Sequence, residues 1–486
     1  MRTPILASIL LVPLCGLAAC TVGPNYKDAG AAGAVAPPAQ FARAGDPAVA
    51  GTQALDVAAW WKAMGDPALD QLEEQALAAN PNVAIAQARL RQARASVRSE
   101  RASAAPSVNA SAIALHAKVP GVDLGSSDSD SSDGASGSGS DSQSLNFYNL
   151  GFDASWEVDL WGGKRRSVEA ARAQLDAAQA NVADAQVTLT AEVAQAYVNL
   201  RERQQRLALV DRDAQAQRQT LELTRQRLAA GTASQLDLEQ QRDKLEQSEA
   251  ARLPLAADRD AYLNALAVLT GQAPGALDAT LATTGPVPLP PASVPVSDPE
   301  SLIRRRPDVR AAERQYAAAT ARIGVAEAAR FPSLSFMGLI GIGGTHVDDV
   351  VDPDNLAAIA LPRLSWNFLD FGRTASQVEK AKGAQDEAAA QYRAAVLKAL
   401  QDSEDALARY GASRQTAASA ARSLATADRS TALMRQRFAA GTGSRIQLLD
   451  AERQSLSAAQ ALSQANGAMT ANFVALQKAL GLGWHE

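Results

Sequence analysis

No stretch of this 486-residue chain reaches the roughly 18 consecutive apolar residues that a typical membrane-spanning helix needs. If the mature chain crosses a bilayer, it must do so as a closed β-barrel, because an open sheet would leave unpaired backbone groups in lipid. Cysteine occurs only twice, at Cys15 and Cys20, too rarely for a disulfide framework. The three histidines, His116, His346 and His485, are far apart in sequence, so no metal cluster is expected. The net charge of -5 is mild and gives no electrostatic case for a nucleic-acid partner. No nucleophile motif and no phosphate-binding glycine loop occurs, so neither an enzyme nor a cofactor is expected. Aromatics make up only 5% of the chain. Alanine, glutamine, arginine and leucine dominate long tracts, which favours long helices over a thick globular core.

The first twenty residues combine Arg2, an apolar run from Ile5 to Leu14, and Leu17-Ala18-Ala19-Cys20. That is an export signal ending in a sequence that resembles a bacterial lipobox, in which the cysteine is acylated and the residues before it are removed. Cys20 is therefore the expected lipidation site, and the mature chain can form no internal disulfide. Thr21, rather than an aspartate, follows Cys20; by the same resemblance this implies release to the outer membrane.

The chain is written twice. Pro81-Asn82-Val83 recurs as Pro307-Asp308-Val309, and the same offset of 226 carries Pro106-Ser107 onto Pro332-Ser333. Further on the offset is 210: Ser155-Trp156 matches Ser365-Trp366, and Arg227-x-Ala-Ala-Gly231-Thr232 matches Arg437-x-Ala-Ala-Gly441-Thr442. The 16-residue difference coincides with a Ser/Asp/Gly run, Asp123 to Ser144, which reads as a mobile loop insertion. It lacks the ordered ligand spacing of a calcium loop.

Each copy reads as a helix (about Asp66 to Ala104, then Ser301 to Ala329), two strands around a loop, a very long helix, a Gly-Thr turn and a return helix of about 36 residues. Residues 164–230 contain neither Gly nor Pro, and 374–440 contain no Pro; at 1.5 Å per residue each span is roughly 100 Å of helix. In the first, Val168, Leu175, Val182 and Leu189 repeat by seven, and after a shift of four Val193, Leu200, Leu207 and Ala214 continue. That is a heptad seam with a stutter. The strands alternate: Leu150, Phe152, Ala154, Trp156 and Val158 form one apolar face, and Leu334, Phe336, Gly338, Ile340 and Ile342 another. Four strands cannot close a barrel alone, so the chain must associate. Pro254 is expected to kink or end the first return helix. The segments are a signal peptide over 1–19, an N-terminal belt segment over 20–65, a first repeat over 66–271, a linker over 272–300, a second repeat over 301–480 and a tail over 481–486.

These features resemble the TolC/OprM outer-membrane efflux channels, in particular their NodT-type lipoprotein branch. The carrying residues are Cys20-Thr21-Val22-Gly23-Pro24-Asn25-Tyr26, Ser155-Trp156-Glu157-Val158-Asp159-Leu160-Trp161-Gly162, Arg305-Arg306-Pro307-Asp308-Val309, Phe331-Pro332-Ser333-Leu334, and Arg437-Phe438-Ala439-Ala440-Gly441 followed by Leu448-Leu449-Asp450-Ala451-Glu452. The resemblance implies an α+β, internally duplicated chain. Three copies would form a transmembrane β-barrel, four strands from each, continued by a long periplasmic α-helical barrel. It implies a passive duct for small molecules, anchored by lipid on Cys20, working with a periplasmic adaptor and an inner-membrane pump of the resistance-nodulation-division type. The Gly231-Thr232 and Gly441-Thr442 turns would form the closed tip met by the adaptor. Ile446 and Asp450, four apart on one helix face, would line the constriction, and Arg437 would help hold it closed. A ring of apolar side chains blocks hydrated solutes and a ring of carboxylates favours cations. The first-copy equivalents of the constriction pair, Leu236 and Gln240, carry no charge. The alternatives are a trimeric coiled-coil scaffold tethered by Cys20, and a duct for secreted proteins or peptides.

Overall fold

The computed structural model describes residues 21–27, 38–43, 58–120, 142–296 and 298–485; Cys20 and most of the Ser/Asp/Gly run lie outside them. After a 3-10 turn at Trp60–Met64 come α1 (Pro67–Ala79), α2 (Pro81–Ala102), β1 (Ser107–Pro120), β2 (Ser142–Val158), α3 (Gly163–Ala229) and α4 (Gln235–Leu269). The second copy supplies α5 (Pro299–Arg305), α6 (Pro307–Ala328), β3 (Ser333–Gly344), β4 (Leu356–Ser365), α7 (Arg373–Ala439) and α8 (Arg445–Ala479). The fold class is α+β, and the duplication is explicit: α3 and α7 are both 67 residues, and α4 and α8 are both 35.

Two expectations change, and one, at Pro254, narrows. The helix expected over Asp66 to Ala104 is two helices, and so is that over Ser301 to Ala329. Asn80 and Arg306 each precede a proline and are extended, with ψ of 128° and 123°, because the proline ring excludes the helical conformation from the residue before it. Each proline then opens the next helix, where its missing N–H costs nothing. Asn80 fills the join: its Oδ1 accepts from the Asn82 amide at 2.8 Å and its Nδ2 donates to the Leu269 carbonyl at 2.9 Å. Second, Pro254 lies inside α4 without ending it. Third, the insertion is not all loop. The backbone pairs Lys118 with Ser144 and Pro120 with Ser142, so part of the extra length extends β1 and β2 beyond β3 and β4, where ladder bonds satisfy its peptide groups.

The contacts divide the chain into two units. One comprises Met1–Lys27, Ala93–Gln174 and Tyr316–Ala388 and holds the sheet, four antiparallel strands in the order β1-β2-β3-β4. Register puts Val108, Ala110, Ala112 and Ala114 opposite Ala154, Phe152, Leu150 and Tyr148, and these opposite Gly338, Ile340, Ile342 and Gly344. Ala360, Ala358 and Leu356 of β4 complete that apolar face. Phe152 is 58% and Leu364 70% exposed, so among the described residues this face is largely uncovered. The opposite face carries Ser107, Asn109, Asp153, Ser155, Ser335 and Arg363, with Met337, Leu339, Ile359 and Leu361 among them. Asn109 Nδ2 donates to Asp153 Oδ2 at 3.1 Å, and the Ser107–Ser155 and Ser333–Ser365 hydroxyls pair at 2.8 Å. Trp156 stacks on Phe336 at 6.0 Å, and Trp161 on Phe331 at 4.6 Å.

The other unit, Asp28–Gln92, Leu175–Gln315 and Ala389–Glu486, contains the main core. Trp60, Trp61, Tyr197, Tyr410 and Phe473 are buried there. Trp60 meets Phe473 edge-on at 5.8 Å; such a contact adds about 1 kcal/mol to the burial of the rings themselves. The seam positions Leu189, Val193, Leu200, Leu207 and Ala214 are buried. The connection after α4 is irregular yet threads this core, burying Leu277, Leu281 and Val294. Its carbonyls find side-chain donors: Arg201 reaches the Thr283 oxygen at 2.6 Å, Gln204 the Leu281 oxygen at 2.7 Å, and Thr470 the Pro288 oxygen at 2.8 Å. A buried segment without ladder bonds requires such donors.

Candidate functional site at the helix turns

Both long helices stop in the same way. Gly231 and Gly441 take the left-handed conformation, with φ of 70° and 72°. The Gly231 amide donates to the Leu228 carbonyl and the Thr232 amide to that of Arg227; Gly441 and Thr442 repeat this with Phe438 and Arg437. That pattern of two reversed bonds is a Schellman motif, and it satisfies carbonyls that the helix end would leave open. The threonine hydroxyl adds a bond to the same carbonyl, at 3.1 Å in each copy. Two residues later Ser234 and Ser444 cap the return helices, each in a capping box, with Asp237 in the first copy and Gln447 in the second. The amide and hydroxyl of Ser234 hold the Asp237 carboxyl below its usual pKa. The recurrence of Arg-x-Ala-Ala-Gly-Thr-x-Ser thus has a backbone cause at the glycine, threonine and serine.

The arginines separate the two copies. Arg227 Nη2 folds back to the Thr232 carbonyl at 3.0 Å. Among the described residues the exposed Arg437 side chain makes no hydrogen bond or ion pair, so its guanidinium does not close its own turn.

One turn into α8, Ile446 is half-buried and Asp450 exposed, while Leu448 and Leu449 are buried. Asp450 therefore points away from the pair that packs inward, and Ile446, three residues before Leu449, lies at the edge of that packed face. Asp450 Oδ1 is 3.3 Å from Arg453 Nη1. Arg453 in turn lies 3.7 Å from Asp213 of α3 and bonds the Gln217 side-chain oxygen at 2.7 Å. Arg445, at the start of α8, sits 5.9 Å over the Phe438 ring and donates to Gln219 Oε1 at 3.3 Å. The first two turns of α8 are thus tied to α3 by two arginines. They are tied to α7 by Arg435–Glu452 at 3.0 Å and by the Thr431 hydroxyl on the Ala451 carbonyl at 2.9 Å. The α3–α4 pair has its own ties, Arg218–Glu249 at 2.6 Å and Arg252–Asp211 at 3.0 Å.

Arg445, Arg453, Asp213, Gln217 and Gln219 escaped the reading of the sequence. The available signal was a charge reversal: at the offset of 210, Arg453 matches Asp243. The structure brings Asp450 to Arg453 and so to α3. Leu236, the first-copy match of Ile446, is 66% exposed and lies in no such cluster. Among the described residues no group of His, Cys, Asp and Glu is placed to hold a metal ion, and no helix is long and apolar enough to cross a membrane.

The profile of the outer membrane efflux protein family matches residues 72–272 and 299–482. The chain is 32% identical to nodulation protein T of Rhizobium leguminosarum bv. trifolii over 474 residues, 96% of each protein. It is also 32% identical to the pyoverdine export outer membrane protein OpmQ of Pseudomonas aeruginosa, over 97% of this chain and 95% of that one. The solved structure of the outer-membrane channel OprN superposes with a TM-score of 0.83 at 32% identity, covering 96% of this chain and all of OprN. Over nearly its whole length, then, with the duplicated helices and the half-amphipathic sheet that such a duct requires, the chain belongs to the outer membrane efflux protein family.

Proposed function

We propose that three copies of the chain pair β4 of one with β1 of the next and so close a single barrel of twelve strands, four from each. The observation that carries this is the sheet itself. Among the described residues its two outer strands have no further strand partner, and its uncovered apolar face suits lipid rather than water. The long helices extend the duct through the periplasm. Acylated Cys20 adds a lipid anchor in the outer membrane. The Gly231-Thr232 and Gly441-Thr442 turns meet a periplasmic adaptor, and an inner-membrane pump of the resistance-nodulation-division type supplies the energy. The cargo is small organic molecules; among the relatives, OpmQ is named for the export of pyoverdine.

Ile446 and Asp450 form the constriction, and Arg437 closes it by reaching a neighbouring copy. What supports this is the side that Ile446 and Asp450 share, with Asp450 open to solvent, and an Arg437 guanidinium without a partner among the described residues. Single-channel conductance in a planar bilayer tests the reading, comparing wild type with an Ile446→Ser, Asp450→Ala variant. A small conductance that rises sharply in the variant is expected. Equal, large conductance from both would move the gate elsewhere, and none from either folded protein would overturn the pore.

A further inference from the structure

The segment that follows Cys20 has no role in the duct described so far, yet its irregular backbone is held by several hydrogen bonds. Arg166, in the first turn of α3, is only 3% exposed. Its Nε donates to the Val22 carbonyl at 3.2 Å. Its Nη2 donates to the Gly23 carbonyl at 3.1 Å and to Asn25 Oδ1 at 2.7 Å. Its Nη1 pairs with Glu169 at 2.7 Å. Three of these four acceptors belong to the N-terminal segment. The Val22 amide completes the seam by donating to the Trp161 carbonyl at 3.1 Å.

The opposite side is shaped for close approach. Gly23 has φ of 89°, and a Cβ there would lie 2.4 Å from the Gly324 Cα of α6. A Cβ on Gly324 would lie 2.9 Å from the Val22 carbonyl oxygen. The two backbones therefore cross with no room for a methyl group on either. Beyond the crossing, the Tyr26 and Tyr316 rings meet edge-on at 5.6 Å. The segment is gripped between α3 and α6, with Thr21 against Gly162 at the β2–α3 join.

We infer that Thr21–Tyr26 is a docking strap and that Arg166 is the positioning residue that fixes the lipid anchor to the base of the barrel sheet. The inference rests on the reading that Cys20 is acylated. Lifting the strap breaks three charge-assisted bonds of one guanidinium at once, those to Val22, Gly23 and Asn25. The planar fork reaches several acceptors at once, which a lysine ammonium on a flexible stem does not reproduce. The same join carries the Trp161–Phe331 stack, with Trp161 Nε1 bonded to the Pro332 carbonyl at 2.8 Å. Tryptophan and its aromatic neighbours favour the membrane interface. The strap thus brings the acyl chains into the bilayer at the level of that aromatic pair, as a rigid part of the barrel rather than as a loose leash.

Limited digestion with a lysine-specific protease, read by mass spectrometry, tests this on the full-length protein in detergent. Lys27 is exposed, but the residues before it are docked, and cleavage there requires the strap to lift. Wild type should be cut slowly. Arg166→Ala and Gly23→Ala should be cut roughly tenfold faster or more, with sheet content unchanged by circular dichroism. Arg166→Lys should not restore protection. A Cys20→Ser variant exported behind an ordinary cleavable signal should be cut as slowly as wild type, because the grip is the arginine's and not the lipid's. Wild-type rates for both Arg166→Ala and Gly23→Ala would overturn the inference. So would a Cys20→Ser variant as labile as Arg166→Ala. The mass of the released wild-type peptide reports the acyl group separately: a peptide without it sinks the anchor and leaves the strap to be judged on the rates.

Discussion

The Tyr197 hydroxyl donates a 2.7 Å hydrogen bond to Oδ2 of Asp66, the residue whose other carboxyl oxygen caps α1. The same hydroxyl accepts from Arg201 Nε at 3.0 Å, and Arg201 also holds the irregular connection through the Thr283 carbonyl. Burial, and then the bond to Asp66, push the phenol's pKa well up, so it remains a donor at any physiological pH. One hydroxyl thus joins α1, α3 and the inter-copy connection. Tyr197→Phe keeps the packing and removes only the link. Chemical denaturation should show a loss of about 1–3 kcal/mol; an unchanged midpoint would mean that Asp66 and Arg201 find other partners.

Glu73 points the other way. It is fully buried on α1, and among the described residues no hydrogen bond of normal geometry reaches its carboxyl oxygens. Burial, reinforced by the Asp70 charge, raises its pKa well above 4.5. A group whose pKa is raised on folding contributes its full stability below the unfolded value and loses it as pH climbs through the folded one. Stability should therefore fall as pH rises from about 4.5 upward. Glu73→Gln, neutral at every pH, should flatten that slope. Identical pH profiles for the two proteins would show that the Glu73 pKa is not raised on folding.

The two turn glycines allow a clean separation of strain from sterics. A Cβ on Gly231 or Gly441 would meet nothing within 4 Å, so alanine there suffers only the left-handed backbone, about 1–2 kcal/mol. Hydrogen exchange at the Thr232 and Thr442 amides should speed up by roughly tenfold in the corresponding variant, with the other turn unaffected. Unchanged exchange would mean that the turn does not depend on the Schellman geometry.

On the gate proposed above, Arg453 would tune the constriction through its contact with Asp450. Arg453→Met keeps the aliphatic stem and removes the tie to Asp213 and Gln217. A partly exposed link of this kind is worth about 1 kcal/mol or less, which moves an open–closed equilibrium by up to roughly fivefold. Conductance should rise in Arg453→Met and in Asp213→Asn, and the double variant should add little, since both remove one interaction. Full additivity would show that the two side chains act apart.

Much of this was written in the sequence because it rests on period and punctuation. Leu150 to Val158 alternates because one face of β2 is apolar, and the spans without proline became α3 and α7. Gly231 and Gly441 could be placed by residue type, since a left-handed stop favours glycine. The breaks at Asn80 and Arg306 are announced only by Pro81 and Pro307, and a proline is equally at home in the first turn of a helix, so the apolar period on either side runs on across them. The ties of Arg453 and Arg445 to α3 were not legible at all: a heptad shows which face is buried, not which polar neighbours meet across it. The clamp on Val22 and Gly23 was hidden for a similar reason, since Arg166 stands about 140 residues from the backbone oxygens it holds, and carbonyl acceptors leave no trace in side-chain identity.

The unpaired outer strands β1 and β4 carry a consequence for inheritance. A chain that cannot finish its own membrane wall depends on its neighbours for every edge bond, and in a closed ring each neighbour depends equally on it. A copy with a damaged β1 or β4 would not merely be lost. It would enter rings with sound copies and open each one it joined. Edge-strand defects should therefore be dominant when expressed beside the normal protein, whereas defects that prevent the sheet from forming should be recessive, because such chains never enter a ring.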